Sequence, residues 1–247
     1  LQVSILTDLA NDLNNVGQHE WTREAFEQSL ETAQPIYQKS DHDEALTALI
    51  DSFIKTGKVE LAPGAANSIE DSEMRNRALV ELTYSLIEIG EHKLALKAAR
   101  SISEKSKCAE ALTDVAGVLA STDRDETAAE IFEKAFSVAK SIGQKLERVE
   151  VFSTLAEKLL KAGREKYADE VFEQALETAQ SIESDLHRSQ ALAEVVRTFG
   201  GAGSEDRSYD LINQFLRNVL GKVQGTQRLN FGPPRAETLS VSAVALF

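Results

Sequence analysis

Apolar residues along this chain recur with the spacing of amphipathic helices, and the pattern is clearest between residues 151 and 182. The first half of that stretch has apolar residues at i, i+3, i+4, i+7 and i+8, namely Phe152, Leu155, Ala156, Leu159 and Leu160. Gly163 follows and predicts the end of the helix. A second stripe comprises Tyr167, Ala168, Val171, Phe172, Ala175, Leu176 and Ala179. The stretch therefore predicts two antiparallel helices whose alanines let the axes approach closely.

Looser copies of this helix pair occupy most of the chain. One turn residue follows each predicted first helix, and these residues are Gly17, Gly57, Gly90, Asp123, Gly163 and Gly203. Their separations are 40, 33, 33, 40 and 40 residues, so the two repeat lengths differ by seven. Seven residues are close to two turns of helix, so a longer second helix keeps the same face inward. The spacing predicts a stack of helix pairs.

An internal identity supports this register. Residues 26–36 and 172–182 agree at nine of eleven positions, at an offset of 146 that equals the total of the first four repeat lengths. We predict twelve helices in six pairs, at residues 2–16 with 20–38, 42–56 with 61–69, 72–89 with 91–103, 105–121 with 124–142, 145–162 with 164–182, and 185–200 with 205–221. Pro63 is expected in the first turn of its helix. The predicted fold class is all-α, an α-solenoid of about six antiparallel helix pairs.

The packing residues of the clearest pair resemble those of the tetratricopeptide repeat (TPR) family. That pattern has W-x₂-L-G-x₂-Y in the first helix and A-x₃-F-x₂-A in the second. The matching residues are Phe152, Leu155, Ala156, Leu159, Gly163, Ala168, Phe172 and Ala175, with Phe for Trp, Ala for Gly and Leu for Tyr in the first helix. The resemblance covers roughly residues 2–221 and implies a right-handed, TPR-like superhelix as one domain over residues 1–221.

The last segment, residues 222–247, departs from the helical pattern. It contains Gly-Pro-Pro at residues 232–234, followed by small and β-branched residues without helical period. We interpret it as an extended or flexible C-terminal tail. The alternative is a peptide that docks on the solenoid or on a neighbouring molecule.

The charge of the chain narrows the range of partners. Forty acidic and 27 basic residues give a net charge of −13. This charge repels a phosphate backbone and an anionic membrane surface, so neither nucleic acid nor membrane is an expected partner. No run approaches the ~20 apolar residues of a spanning helix, and no signal peptide is visible. The single cysteine, Cys108, fits a reducing compartment, so we expect a cytoplasmic protein.

The residues that commonly perform catalysis or bind metal form no recognisable motif. The four histidines are His19, His42, His92 and His187, and no two stand at i, i+4. They are expected at the surface, while Cys108 is expected to be a packed or partly exposed thiol. The glycines at 200, 201 and 203 lack the rest of a phosphate loop, and the many carboxylates fit solvated helix faces. We therefore expect no catalytic residue, no cofactor and no metal, and hence no enzyme.

The TPR resemblance implies where a partner would bind. In that family the first helices line a concave groove, and ligand contacts come from positions between the packing residues. Carried over to this chain, the partner-binding residues are Asp8, Asn11, Asp51, Lys55, Glu81, Tyr84, Asp114, Glu157, Glu194 and Arg197. The same positions also include Thr7, Thr47, Val80, Thr113, Gly117, Ser153, Thr154 and Ala193.

The charge of that row favours one kind of ligand. Because acids predominate, a basic or mixed-charge partner fits better than the C-terminal carboxylates that some TPR proteins bind through Lys and Arg. The alternative is that the acids only keep the solenoid soluble. The leading hypothesis is a non-enzymatic scaffold or adaptor that binds a partner polypeptide on an acidic-to-polar groove. The alternative is a regulatory or sensor arm of a larger enzyme assembly, such as a signalling ATPase or protease. The oligomeric state does not follow from the sequence.

Overall fold

The computed structural model describes residues 2–122 and 125–201. Within those ranges the chain forms eleven α-helices and no strand. The helices are α1 (Gln2–Asn15), α2 (His19–Ala33), α3 (Lys39–Thr56), α4 (Ala62–Ser68), α5 (Ser72–Glu88), α6 (His92–Ser101), α7 (Lys105–Ala120), α8 (Asp125–Lys140), α9 (Lys145–Lys161), α10 (Glu165–Gln180) and α11 (Asp185–Gly201). The predicted all-α repeat fold is confirmed. The predicted helix at 205–221 and the tail at 222–247 lie outside the described residues.

The chain divides into two compact units, one ending at Ile131 and the other beginning at Phe132. In the first unit, α1 pairs with α2, α3 with α4, and α5 with α6. Each later first helix packs on both helices of the pair before it: α3 on α1 and α2, α5 on α3 and α4, and α7 on α5 and α6. In the second unit, α9 pairs with α10, and α11 packs on both. Each unit is therefore built by stacking helix pairs.

Four first helices end in the same hydrogen-bonded turn. Its glycines, Gly17, Gly57, Gly90 and Gly163, have φ of 77°, 72°, 81° and 69°. After α3, the N–H of Gly57 donates to the carbonyl of Ile54 (3.2 Å), and the next N–H donates to the carbonyl of Phe53 (2.9 Å). This is a Schellman motif, whose left-handed residue favours glycine. The predicted turn is confirmed at these four sites, and the other two lie outside the described residues.

Two prolines lie at helix boundaries. Pro63 is in the first turn of α4, as predicted, where its missing N–H removes no helical hydrogen bond. The prediction that the second helix of the first pair reaches residue 38 is wrong, because α2 ends at Ala33. Pro35 lacks the N–H that would donate to the carbonyl of Glu31, and its ring clashes with that carbonyl in a helix. The helix therefore ends before the proline.

The two stripes predicted for residues 151–182 meet in the α9/α10 pair. Seven residues of these stripes are each at most 1% exposed: Phe152, Leu155, Ala156, Ala168, Phe172, Ala175 and Ala179. The alanines allow close approach while the larger side chains fill the grooves beside them. Tyr167, predicted in the stripe, is instead 48% exposed. Its counterpart Trp21 on α2 is 61% exposed, so this register lies at the edge of the helix contact.

Two pairs have a short second helix, α3/α4 and α5/α6. In each of them a polar side chain lies near the start of the first helix. In the second pair, both carboxylate oxygens of Asp43 accept hydrogen bonds, from the N–H of Glu70 and from the N–H of Asp71, each 2.8 Å. In the third pair, the side-chain oxygen of Asn76 accepts from the N–H and the hydroxyl of Ser103, each 2.9 Å. The equivalent residues of three long pairs are apolar: Val3, Ala109 and Val149. A short second helix thus leaves loop N–H groups that the polar side chain satisfies.

Asp43 is a buried carboxylate that its hydrogen bonds keep charged. It is 1% exposed, and its Oδ1 lies 3.1 Å from Nδ1 of His42. Burial by itself raises the pKa of Asp43, but the two backbone N–H groups and His42 outweigh it, so the pKa lies below the ordinary aspartate value. His42 is itself buried. The expectation that it lies at the surface is wrong, because the buried carboxylate gives its ring a polar partner.

Three first helices are tied by an arginine to the end of the preceding second helix. The donor and acceptor residues are Arg75 with the carbonyl of Ile69 (2.8 Å), Arg148 with Ile142 (2.8 Å) and Arg188 with Ile182 (2.9 Å). Carbonyls at a helix end lack an intrahelical donor, so the guanidinium supplies one. Cys108 holds the equivalent position after Ile102 and is buried, as expected for a packed thiol.

Phe172 and Phe26 test the register of the repeats. They are equivalent at the 146-residue offset, and both are fully buried. Phe172→Ala is expected to lower the free energy of unfolding by about 3–5 kcal/mol through lost burial and the remaining cavity. Phe26→Ala is expected to cost less, because in the described part of the chain only one other pair packs on the first pair. Denaturant unfolding of both variants measures this, and near-zero losses at both positions would contradict the register.

Asp43→Ala tests the cap of the short pair. It leaves two N–H groups without an acceptor, so we expect a loss of about 1–3 kcal/mol in the free energy of unfolding. Asp43→Asn is the control, because it keeps an acceptor like Asn76 and should lose less.

The same carboxylate predicts a dependence on pH. Because the pKa of Asp43 is lower in the folded chain, its contribution is present above the ordinary aspartate pKa and is lost as the pH falls through the lowered value. Acid unfolding should therefore be steeper for the wild type than for Asp43→Asn, which does not titrate there. Identical acid profiles would count against this account of Asp43.

Candidate functional site

A cleft lies between α3 and α5 in the first unit, with a volume of about 370 Å³. The first helices contribute its walls because each pair stacks its first helix beside the previous one. The lining residues are Thr47, Ile50, Asp51 and Ile54 from α3, and Ala78, Glu81, Leu82, Tyr84 and Ser85 from α5. Four of them, Thr47, Asp51, Glu81 and Tyr84, are positions that the sequence predicted to face a partner. The structure thus brings part of the predicted row together.

The floor of the cleft is apolar and its carboxylates are free. Ile50 is 3% exposed and Leu82 is buried completely. Asp51 and Glu81 are exposed, and neither has a hydrogen-bond or ion-pair partner among the described residues. Two unneutralised negative charges therefore border a surface that aliphatic groups can contact.

Tyr84 is held at one wall of the cleft by the following first helix. Its hydroxyl donates to Oδ2 of Asp114 on α7, at 3.1 Å. Burial raises the pKa of Tyr84 to about 12, together with the charge of Asp114, this hydrogen bond and the charge of Glu110. The hydroxyl therefore stays protonated near neutral pH and remains a donor. The residue is 41% exposed, so its ring presents an aromatic surface beside the carboxylates.

Three other predicted residues of the first unit lie outside this cleft. Asp8 on α1 and Lys55 on α3 are exposed, and Asn11 on α1 is half-buried. None of the three is among the residues that line the cleft. The cleft therefore uses the middle of the predicted row.

Three of the hydroxyl residues predicted to face the groove are buried instead. Thr7 donates to the carbonyl of Val3 at 2.8 Å, and Thr113 to the carbonyl of Ala109 at 2.7 Å. Both threonines are buried, and so is Ser153. For these three residues the predicted groove position is wrong. A carbonyl one turn earlier satisfies the threonine hydroxyl inside its own helix, so the side chain needs no contact with water.

In the second unit, the predicted acids are paired with bases on their own helices. Glu157 Oε1 on α9 lies 2.6 Å from Nζ of Lys161. On α11, Nε of Arg197 donates to Oε2 of Glu194 at 3.1 Å. These pairs reduce the local charge, so the second unit presents a weaker negative field at these positions than the cleft of the first unit does.

The apolar floor was missed by the sequence analysis. Ile50, Ile54 and Leu82 were not among the predicted contact residues, although Ile50 and Ile54 each lie three residues from one that was, Thr47 and Asp51. Helical spacing therefore contained the signal, because positions i+3 and i+4 share a helix face. What the sequence lacked was the distance between α3 and α5, which leaves Ile54 half-buried at the cleft while Ile50 and Leu82 lie almost fully buried beneath it.

Two further observations concern the nature of the site. Within residues 2–122 and 125–201, no three His, Cys, Asp or Glu side chains form a group that could bind a metal ion. In the same part of the chain, no helix has the length and apolar character needed to cross a membrane. What the cleft offers is a negative rim, an aromatic ring and an aliphatic floor, which together suit a cationic side chain.

Comparisons with known proteins add a structural neighbour. No protein-family model matches this chain, and no curated protein matches its sequence. Among solved structures, the chain is similar to the crystal structure of Ton1535 from Thermococcus onnurineus NA1, at 21% sequence identity and a TM-score of 0.49. The match covers 79% of this chain and 55% of that chain, so this chain spans about half the length of its neighbour. The case for function therefore depends on the cleft.

The bond between Tyr84 and Asp114 predicts an abnormal tyrosine titration. With a pKa of about 12, Tyr84 should remain protonated where an ordinary tyrosine, with a pKa of 10.0, ionises. Because the folded-state pKa is the higher one, the contribution of Tyr84 to stability is present below the ordinary tyrosine pKa and is lost as the pH rises through the folded value. Tyrosinate absorbance of wild type minus Tyr84→Phe should show no ionisation in the ordinary range. A normal tyrosine transition in that difference would contradict the hydrogen bond.

Proposed function

We propose that this chain is a TPR-like adaptor without catalytic activity, which binds a basic, partly apolar segment of a partner protein in the cleft between α3 and α5. One observation carries the proposal: Asp51 and Glu81, unpaired within the described residues, flank an apolar floor in a single cleft. The resemblance to TPR proteins, whose first helices contact ligands, supports the same surface. The single buried cysteine suits a partner in a reducing compartment such as the cytoplasm.

A lysine or arginine side chain matches this cleft in both of its parts. Its aliphatic stem can lie along the half-buried Ile54 while its charged head reaches the carboxylates. The exposed ring of Tyr84 adds a surface on which a cation can stack. A phosphate or carboxylate ligand would instead meet unpaired negative charge.

The charge of the whole chain acts in the same direction. A net charge of −13 raises the local concentration of basic segments and so increases the association rate more than the affinity. Ions screen this field over about 10 Å at 0.1 M salt. Binding by the proposed mode is therefore sensitive to salt.

A double charge reversal at the cleft tests the proposal. A partner is first identified by affinity capture with the wild-type chain, and its affinity is then measured for Asp51→Lys/Glu81→Lys at low and moderate salt. Each exposed ion pair is worth ~0.2–1 kcal/mol, and reversal also adds repulsion, so we expect affinity to fall by about tenfold or more. The salt dependence of the remaining binding should be weaker than that of wild type.

The matched control places the same charge change elsewhere. Glu24→Lys/Glu31→Lys alters two exposed residues of α2, away from the cleft lining, by an equal charge. Under the proposal this variant retains most of the affinity. If both variants bind like wild type with a flat salt response, the acids serve solubility and the proposal fails. If both lose affinity equally, the effect is one of net charge and the cleft is not the site.

A further inference from the structure

The first helix carries an apolar face that no helix of the described structure covers. Ile5 is 56% exposed and Leu9 is 47% exposed, one turn apart on α1. Val16, just after α1, is 70% exposed. Large aliphatic side chains that share a helix face and meet water are unusual for a finished surface. This face is distinct from the cleft between α3 and α5.

The repeat register identifies this face. The residues equivalent to Leu9 in the later first helices are Leu49, Leu82, Val115, Leu155 and Val195, each at most 4% exposed. Among the residues equivalent to Ile5, Ala78, Ala111, Val151 and Ala191 are at most 5% exposed. The same two positions are thus buried in later first helices, apart from the half-buried Ala45 on α3, and are exposed in α1.

The packing of the first unit explains what buries these positions. There, α3, α5 and α7 each lie on both helices of the pair before them. The face that receives the preceding pair is therefore a regular feature of a first helix. In α1 the same face is present, but no helix pair of the described structure packs on it. A terminal repeat that serves as a cap has a polar outer surface instead.

We infer that Ile5 and Leu9 form an inter-repeat interface, and that its occupant is one further antiparallel helix pair of the same kind. Ile5 is bulkier than the Ala or Val at its equivalents, so the occupant has a small residue opposite it.

The chain contains a suitable probe. Residues 172–182 nearly repeat residues 26–36, so the α9/α10 pair is a close sequence equivalent of the first pair. The two repeats are 146 residues apart, so residue 147 is equivalent to residue 1. The segment that precedes the α9/α10 repeat therefore ends at residue 146. Adding a copy of residues 105–146 before Leu1 of the full chain therefore supplies a helix pair in the natural register. A scrambled copy of the same composition controls for added length.

The measurement is hydrogen exchange of the α1 amides in the extended and unextended chains. A docked pair should slow exchange across α1 by about tenfold or more, because α1 would no longer be the terminal helix of the stack. The variant Ile5→Lys/Leu9→Lys changes only exposed side chains, so the unextended variant should stay folded and its extension should bring no protection.

Other outcomes would overturn the inference. Unchanged exchange on extension, or equal protection from the scrambled copy or in the double variant, would show that the face does not accept a helix pair. Light scattering of the unextended chain tests whether a second copy of the chain covers the face instead. A dimer that Ile5→Lys/Leu9→Lys converts to monomer would make a second copy the occupant, and the inference would be wrong.

Discussion

The structure depends on the inability of one helix pair to bury its own apolar surface. A pair such as α9 and α10 buries one flank internally, where alanines bring the axes together, and leaves a second flank that only another pair can cover. Stacking follows from this constraint. It also places successive first helices side by side, so α3 and α5 leave a cleft between them. The candidate site is therefore a product of the same packing that holds the fold together.

The short pairs show what a change of repeat length requires. Removing two turns from the second helix preserves the inward face, but it moves the helix end next to the start of the first helix. Loop N–H groups then lie where the long pairs have helix, and they need acceptors. Asp43 and Asn76 supply those acceptors, with a carboxylate in one pair and an amide in the other. Length variation in this repeat is thus coupled to a polar substitution more than twenty residues away.

Periodicity predicted the helices well because it is a local property. Glycine turns, the place of Pro63 and the burial of Phe152 and Phe172 all follow from spacing within one pair. The candidate site was predicted in part, since register placed Asp51, Glu81 and Tyr84 on the exposed side of their helices. The bond from Tyr84 to Asp114 joins side chains thirty residues apart in sequence and depends on the distance between α5 and α7, which no local pattern contains. Thr113 and His42 were misplaced because a polar side chain with an internal partner can be buried.

The stacking of consecutive pairs also has a mechanical consequence. In the first unit, α3 and α5 each pack on the pair before them and on the first helix after them, besides their own partner helix. A pulling force along the chain would therefore separate one contact between neighbouring pairs at a time. The unit would lengthen in steps instead of unfolding all at once. A ligand bound to both α3 and α5 would stabilise one of these contacts. Binding in the cleft and tension along the chain would then oppose each other.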